Sequence, residues 1–160
     1  MPGNKPIKRT EDIMPLSRDH HYGLLFCWKI KQGLTKKVDL TRIMKFVSYF
    51  WSEQLKGHFK EEEELLFNEV SDKLCDDAIL QHRHIEQLIK IVHSDTPLDE
   101  EVFASLASAV EKHIRFEERE LFPFLELVIE PVKLASIGQV LQRTHLAPPA
   151  DTYPDEFWVN

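Results

Sequence analysis

Two decapeptides carry the side chains with the clearest chemistry. HFKEEEELLF (58–67) and HIRFEERELF (113–122) share the pattern H-x-[KR]-x-E-E-x-x-L-F. In each, a histidine precedes a glutamate by four residues: His58 with Glu62, and His113 with Glu117. An α-helix turns about 100° per residue, so positions i and i+4 lie on one face. An imidazole nitrogen and a carboxylate oxygen on one face make a ligand pair for a divalent cation. Two further stretches offer histidines at helical spacing, LSRDHHYGLL (16–25) and LQHRHIEQL (80–88).

The direction of these groups follows from the apolar stripes around them. Ile43, Val47, Phe50, Trp51 and Leu65 form one stripe, with His58 near its middle and Glu62 one turn further on. Phe103, Leu106, Val110, Leu121, Phe124 and Leu125 form another, which contains Glu117 and has His113 near one edge. Leu16, Leu24, Cys27, Ile30 and Leu34 span an arc centred on His20, with His21 at its border. The third stretch leaves two alternatives. His82 aligns with Ala78, Ile85 and Ile89, and His84 aligns with Leu80, Leu88 and Ile91.

One histidine per helix and two carboxylates therefore point into an apolar interior. An unpartnered buried polar group costs roughly 1–3 kcal/mol, and an unpaired buried charge costs several. Six such groups would strain a domain whose net stability is about 5–15 kcal/mol. Bound metal resolves the conflict, and four imidazoles with two carboxylates exceed what one tetrahedral zinc needs. Two ions bridged by the carboxylates fit better, with iron or manganese suited to mixed His/Glu ligation and zinc an alternative. Neither Glu-x-x-His pairing nor an HExxH motif accompanies these histidines, so the ferritin-like and zinc-peptidase schemes do not apply.

The elements that would position this set are helices. The chain has 160 residues, 42% hydrophobic and 29% charged, which suits one globular domain. No proline falls between Pro15 and Pro97, or between Pro97 and Pro123. An all-β fold needs a turn about every 8–12 residues and is excluded. The pattern predicts helices over about Pro15–Gly33, Asp39–Val70 with Asp39 as N-cap, Asp76–His93 and Leu98–Val128. Ser94–Pro97 reads as a turn that caps the fourth helix, and Pro123 as a disturbance of its last turns. A short helix over Lys133–Gln142 follows, then an extended tail lying on the bundle through Tyr153, Phe157 and Trp158. The expected fold is all-α, an up-down-up-down antiparallel four-helix bundle. Residues 1–13 read as an N-terminal arm, 14–130 as the bundle, and 131–160 as the short helix and tail. The two decapeptides make the chain look like two copies of a helix pair related by a pseudo-twofold axis.

A net charge of −7 argues against a nucleic-acid partner. No stretch approaches the ~18 consecutive apolar residues of a membrane span, and the opening residues contain no apolar run of the kind a signal peptide has. Cys27 and Cys75 lie far apart and outside any CxxC, so neither a disulfide framework nor a thiolate zinc site is expected. A reducing, cytoplasmic setting is the expectation.

Taken in order, the four motifs resemble the hemerythrin-like family, the HHE cation-binding domain. LSRDHHYGLL resembles its first-helix motif, HFKEEEELLF and HIRFEERELFP its second- and fourth-helix motifs, and LQHRHIEQL its third. The similarity covers about residues 14–130. It implies a pair of non-haem iron ions with a bridging oxygen species. His20 and His58 would ligate one ion and His82 and His113 the other, with Glu62 and Glu117 bridging. The resemblance thus favours His82 over His84. Two departures separate the chain from the oxygen-carrying members. Glu86 stands where those have a second histidine four residues after the third-helix ligand. Glu117 lies four residues after the last histidine, where those have an aspartate at five. The pattern looks closer to bacterial HHE proteins and related iron sensors.

The implied function is binding or sensing of dioxygen or iron, with dioxygen, another small diatomic or peroxide as ligand. The competing readings are an enzyme that reacts with peroxide or dioxygen or donates iron in oxidative or nitrosative stress repair, and a metal-free structural bundle. Glu86 reads as a surface partner of His82 or Lys90, and His21, His93 and His145 as surface residues. Of the run Glu61–Glu64, only Glu62 is expected inside.

Overall fold

A computed structural model describes residues 9–94, 97–147 and 152–159. Among them there is no strand, and the chain forms a bundle of five helical runs. They are α1 (Met14–Thr35), α2 (residues 40–69), α3 (Lys73–Val92), α4 (residues 100–128) and α5 (Pro131–Thr144). No helix among the described residues is long and apolar enough to cross a membrane.

Aspartates set the starts of α2, α3 and α4. Asp39, Asp72 and Asp99 each accept a hydrogen bond from the backbone N–H two residues on, at 2.8, 2.9 and 3.0 Å. The Asp39 cap is where the sequence places it. The third helix starts earlier than expected because Asp72, extended at φ −149° and ψ 151°, caps it ahead of Asp76. The fourth is capped by Asp99 and not from the Ser94–Pro97 turn, of which Asp95 and Thr96 lie outside the described residues.

α2 and α4 are not regular throughout. Each contains a π turn that begins at a glutamate of the repeated motif: the Phe67 N–H bonds to the Glu62 carbonyl, and the Phe122 N–H bonds to the Glu117 carbonyl. A further π turn, Trp51–Leu55, lies earlier in α2. Such turns take up one extra residue and are frequent at functional sites. In α4 the wide turn directly precedes Pro123, so the disturbance expected there takes this form. The internal repeat is thus a repeat of backbone geometry as well as of side chains.

α1 packs on α2 and α4, α3 packs on α2 and α4, and α5 lies against α1. The apolar interior falls into two clusters. One is built around Phe26, Ile30, Phe46, Phe103 and Leu106, the other around Leu16, Leu66, Leu121, Phe122 and Leu125. α5 joins the second cluster through Leu134, Ile137 and Leu141. Gly138 lets it approach the N-terminal segment, because a Cβ there would stand 2.8 Å from the Asp12 Cα.

Both chain ends are tied down where they are described. In the segment read as an arm, Ile13 is fully buried and the Arg9 guanidinium donates to Glu118 and Glu126 of α4. Residues 1–8 lie outside the described residues. The tail lies on the bundle through the aromatic residues expected. The Phe157 ring is buried against Gly33, and Trp158 stacks beneath the Lys29 ammonium at 4.1 Å. Tyr153 packs on Phe46 and Tyr49, and Arg42 forms a forked ion pair with Asp155. Residues 148–151 and 160 of this tail lie outside the described residues.

Candidate metal centre

His20, His58, Glu62, His82, His113 and Glu117 are all buried, with no more than 6% of any residue exposed. They lie together, flanked by aromatic rings from both apolar clusters. Phe59 stacks on His82 at 3.8 Å between centroids, and Phe122 stacks on His20 at 5.3 Å. His84 is exposed, and Glu86 pairs with Arg83 at 2.6 Å, away from the cluster. The helix-face ambiguity of the third helix therefore resolves toward His82.

The six residues form two overlapping groups. One comprises His20, His58, Glu62 and Glu117, the other His82, His113, Glu62 and Glu117. Within each, one ligand-type atom per residue lies within 4.8 Å of all the others. The Nε2 atoms of His20 and His113 are each 3.0 Å from Glu117 Oε1. Those of His58 and His82 are 3.1 and 3.2 Å from Glu62 Oε1. The two glutamates are the members common to both groups.

Each histidine is fixed from behind through Nδ1. His58 Nδ1 donates to Asp19 at 2.9 Å, His82 Nδ1 to Glu63 at 2.7 Å, His113 Nδ1 to the Gln81 side-chain oxygen at 2.6 Å, and His20 Nδ1 to Glu118 at 2.7 Å. Every one of these partners is an acceptor, so Nδ1 carries the proton and a neutral ring turns its Nε2 lone pair inward. The arrangement is cyclic. Asp19 precedes His20 on α1 but serves His58 on α2, and Glu63 follows Glu62 on α2 but serves His82 on α3. Gln81 precedes His82 on α3 but serves His113 on α4, and Glu118 follows Glu117 on α4 but serves His20 on α1. A residue adjacent to an inward group is rotated about 100° from it, toward the neighbouring helix. The run Glu61–Glu64, read as solvated apart from Glu62, thus contributes Glu63 as well.

Four inward lone pairs and two carboxylates leave the centre short of positive charge. His58 Nε2, both Glu62 oxygens and Glu117 Oε2 are buried without a hydrogen-bond partner, despite their closeness. The Nε2 atoms of His82 and His113 stand 3.1 Å apart, and both cannot present lone pairs there without a cation between or beside them. The ionisation equilibria carry the same signature. Burial favours the neutral form of His58, but Glu62 and Asp19 outweigh it and raise its pKa to about 10. His82 rises to about 9, as Glu62 and Glu63 overcome burial. Burial opposes ionisation of Glu62, yet His58, His20 and His82 hold it well below the usual carboxylate range. Glu118 falls to about 2 against its own burial, through His20, Ser17 and Arg9. In the absence of metal, His20, His58 and His82 satisfy the site by taking up protons.

A cavity of about 290 Å³ opens beside the cluster, lined by His20, His58, His113, Gly23, Phe59 and Val110 among others. His145, read from the sequence as a surface residue, is half-buried on its wall, 3.0 Å from Asp19. Both cysteines are buried and free, and burial raises the thiol pKa values to about 12 for Cys27 and about 11 for Cys75, so neither offers a thiolate ligand.

These features define an all-helical protein with a buried histidine–carboxylate centre able to hold metal cations. The chain belongs to the hemerythrin HHE cation-binding domain family, whose model matches residues 15–125. No curated protein and no solved structure matches it.

Proposed function

We propose that the chain is a hemerythrin-like non-haem di-iron protein that binds or senses dioxygen or iron. His20 and His58 would hold one ion and His82 and His113 the other, with Glu62 and Glu117 shared between them. The observation that carries this reading is the convergence of four Nδ1-anchored imidazoles on two common carboxylates with too few protons among them. Such a pair supplies reversible one-electron chemistry and an affinity for small oxygen-type ligands when bound. Manganese or zinc could occupy the same donors. The family match and the ring of contacts from α1 through α4 favour an up-down-up-down order of the four long helices. Short connections over residues 36–39, 70–72 and 93–99 favour it too.

The protein's own groups have defined tasks in this scheme. The Nδ1 acceptors fix each ring's tautomer and orientation, and Phe59, Phe122 and the apolar clusters keep bulk water from the donors. Gly23 and Phe59 border the cavity by which a diatomic molecule or peroxide would arrive. That same cavity favours the second reading, an enzyme that turns over peroxide or dioxygen or releases iron for repair. Stable adduct formation by the reduced protein supports binding, and sustained peroxide consumption supports catalysis.

Elemental analysis after anaerobic reconstitution with ferrous iron tests the proposal, with two irons per chain expected and none contradicting it. Glu62→Gln and Glu117→Gln keep side-chain shape but lose bridging charge. Each should reduce two-ion occupancy while leaving helical content near that of the parent chain, read by metal analysis and circular dichroism. Retention of both ions in both variants would rule out bridging. Gln81→Leu and Glu63→Leu, which remove Nδ1 acceptors, should weaken metal affinity by about 10–100-fold, measured by competition with a chelator.

A further inference from the structure

The family match ends at residue 125, and α5 beyond it brings a second group of ligand-type side chains to the cavity. Asp19 of α1, Glu61 of α2 and His145 at the end of α5 place one donor atom each within 4.8 Å of one another. His145 Nδ1 donates to the Leu141 carbonyl at 2.8 Å, so a neutral ring presents the lone pair of Nε2. That atom faces Asp19 Oδ2 at 3.0 Å and Glu61 Oε1 at 3.7 Å. The Thr144 hydroxyl donates to the other Glu61 oxygen at 2.8 Å and orients the carboxylate.

Two differences set this group apart from the inner six, and one feature links it to them. Its side chains are 19–23% exposed, so a hydrated ion can reach them. It has two carboxylates for one imidazole, a net negative charge even with His145 protonated. It also opens on the same cavity as His20, His58 and His113, and Asp19 Oδ2 is the oxygen that accepts from His58 Nδ1. A mixed nitrogen–oxygen set of this kind accepts the divalent transition metals that the inner donors take.

We propose that Asp19, Glu61 and His145 form a third, weaker cation site on the exposed side of the cavity, which captures a divalent transition-metal ion and passes it to the inner centre. The passing role rests on the two-ion reading above, whereas the site itself does not. With three protein donors and the remaining positions left to water, it binds more weakly than the enclosed centre and exchanges faster.

The test is a titration of the metal-free full chain with Mn(II), in which the resonance of the free ion reports binding and stopped-flow mixing reports uptake. The parent chain should bind two ions tightly and one weakly. His145→Ala and Glu61→Gln should lose the weak ion, keep the two tight ones, and fill them about tenfold more slowly. Glu61→Gln retains an oxygen for Thr144, so it guards against a loss caused by misfolding. His113→Ala should lose tightly bound metal from the inner centre and keep the weak ion. Equal stoichiometry and equal uptake rates in the parent, His145→Ala and Glu61→Gln would overturn the proposal. A weak ion that depends on His145 in a chain with no tight sites would retain the outer site and overturn the two-ion centre instead.

Discussion

Replacing His58 or His113 with alanine should remove tightly bound metal from the inner centre and lower the melting temperature of the protein, whereas His93→Ala should change neither. His58 and His113 are almost fully buried, and each removes a donor that faces a shared glutamate. Truncating one partner leaves a buried carboxylate uncompensated, at a cost of roughly 3–5 kcal/mol. For a chain of this size each kcal/mol moves the melting temperature by about 2–4 °C, so a fall of about 10 °C is expected. His93 is exposed at the end of α3, where its Nδ1 donates to the Ile89 carbonyl. Metal analysis and thermal unfolding of the three variants check this. Similar behaviour of all three would refute the inward role assigned to His58 and His113.

The second large effect is an opposite pH dependence of the metal-free and metal-loaded forms. In the metal-free chain His58 and His82 have folded pKa values of about 10 and about 9, above the ordinary histidine value. Their contribution is complete below about pH 6.5 and is lost as pH rises through those values. Glu62 and Glu118 are shifted the other way, so their contribution is complete above about pH 4.5 and is lost as pH falls through their lowered values, about 2 for Glu118. Metal-free protein should therefore be most stable between about pH 4.5 and 6.5 and lose stability steadily as pH rises toward about 10. Metal binding displaces these protons, so affinity increases with pH. The gain in melting temperature on adding metal should grow from pH 6 to pH 9. A gain that shrinks over that range would contradict the assignment of the histidines as donors.

The i, i+4 spacing of His58 with Glu62 and of His113 with Glu117 made the inward pairs legible, because that spacing and the apolar stripe share one period. His20 was legible for the same reason. His82 was not separable from His84 by periodicity, since apolar residues surround most of that helix. Burial of His82 and exposure of His84 decide between them. The Nδ1 acceptors are not legible from helical spacing because Asp19, Glu63, Gln81 and Glu118 each serve a ring on another helix. Their signal was nevertheless present, since each is the immediate neighbour of an inward donor. The π turns at Glu62 and Glu117 leave no local mark in composition. His145 was hidden because its partners, Asp19 and Glu61, come from distant parts of the chain and meet it only when α5 folds back on α1 and α2.

The most direct measurement is an anomalous difference map from crystals of the full chain grown with Mn(II). Two peaks inside the bundle are expected, one bonded to His20 and His58, the other to His82 and His113, with Glu62 and Glu117 reaching both. A centre that holds no ion at saturating metal, with the six side chains bonded only to one another, would contradict it.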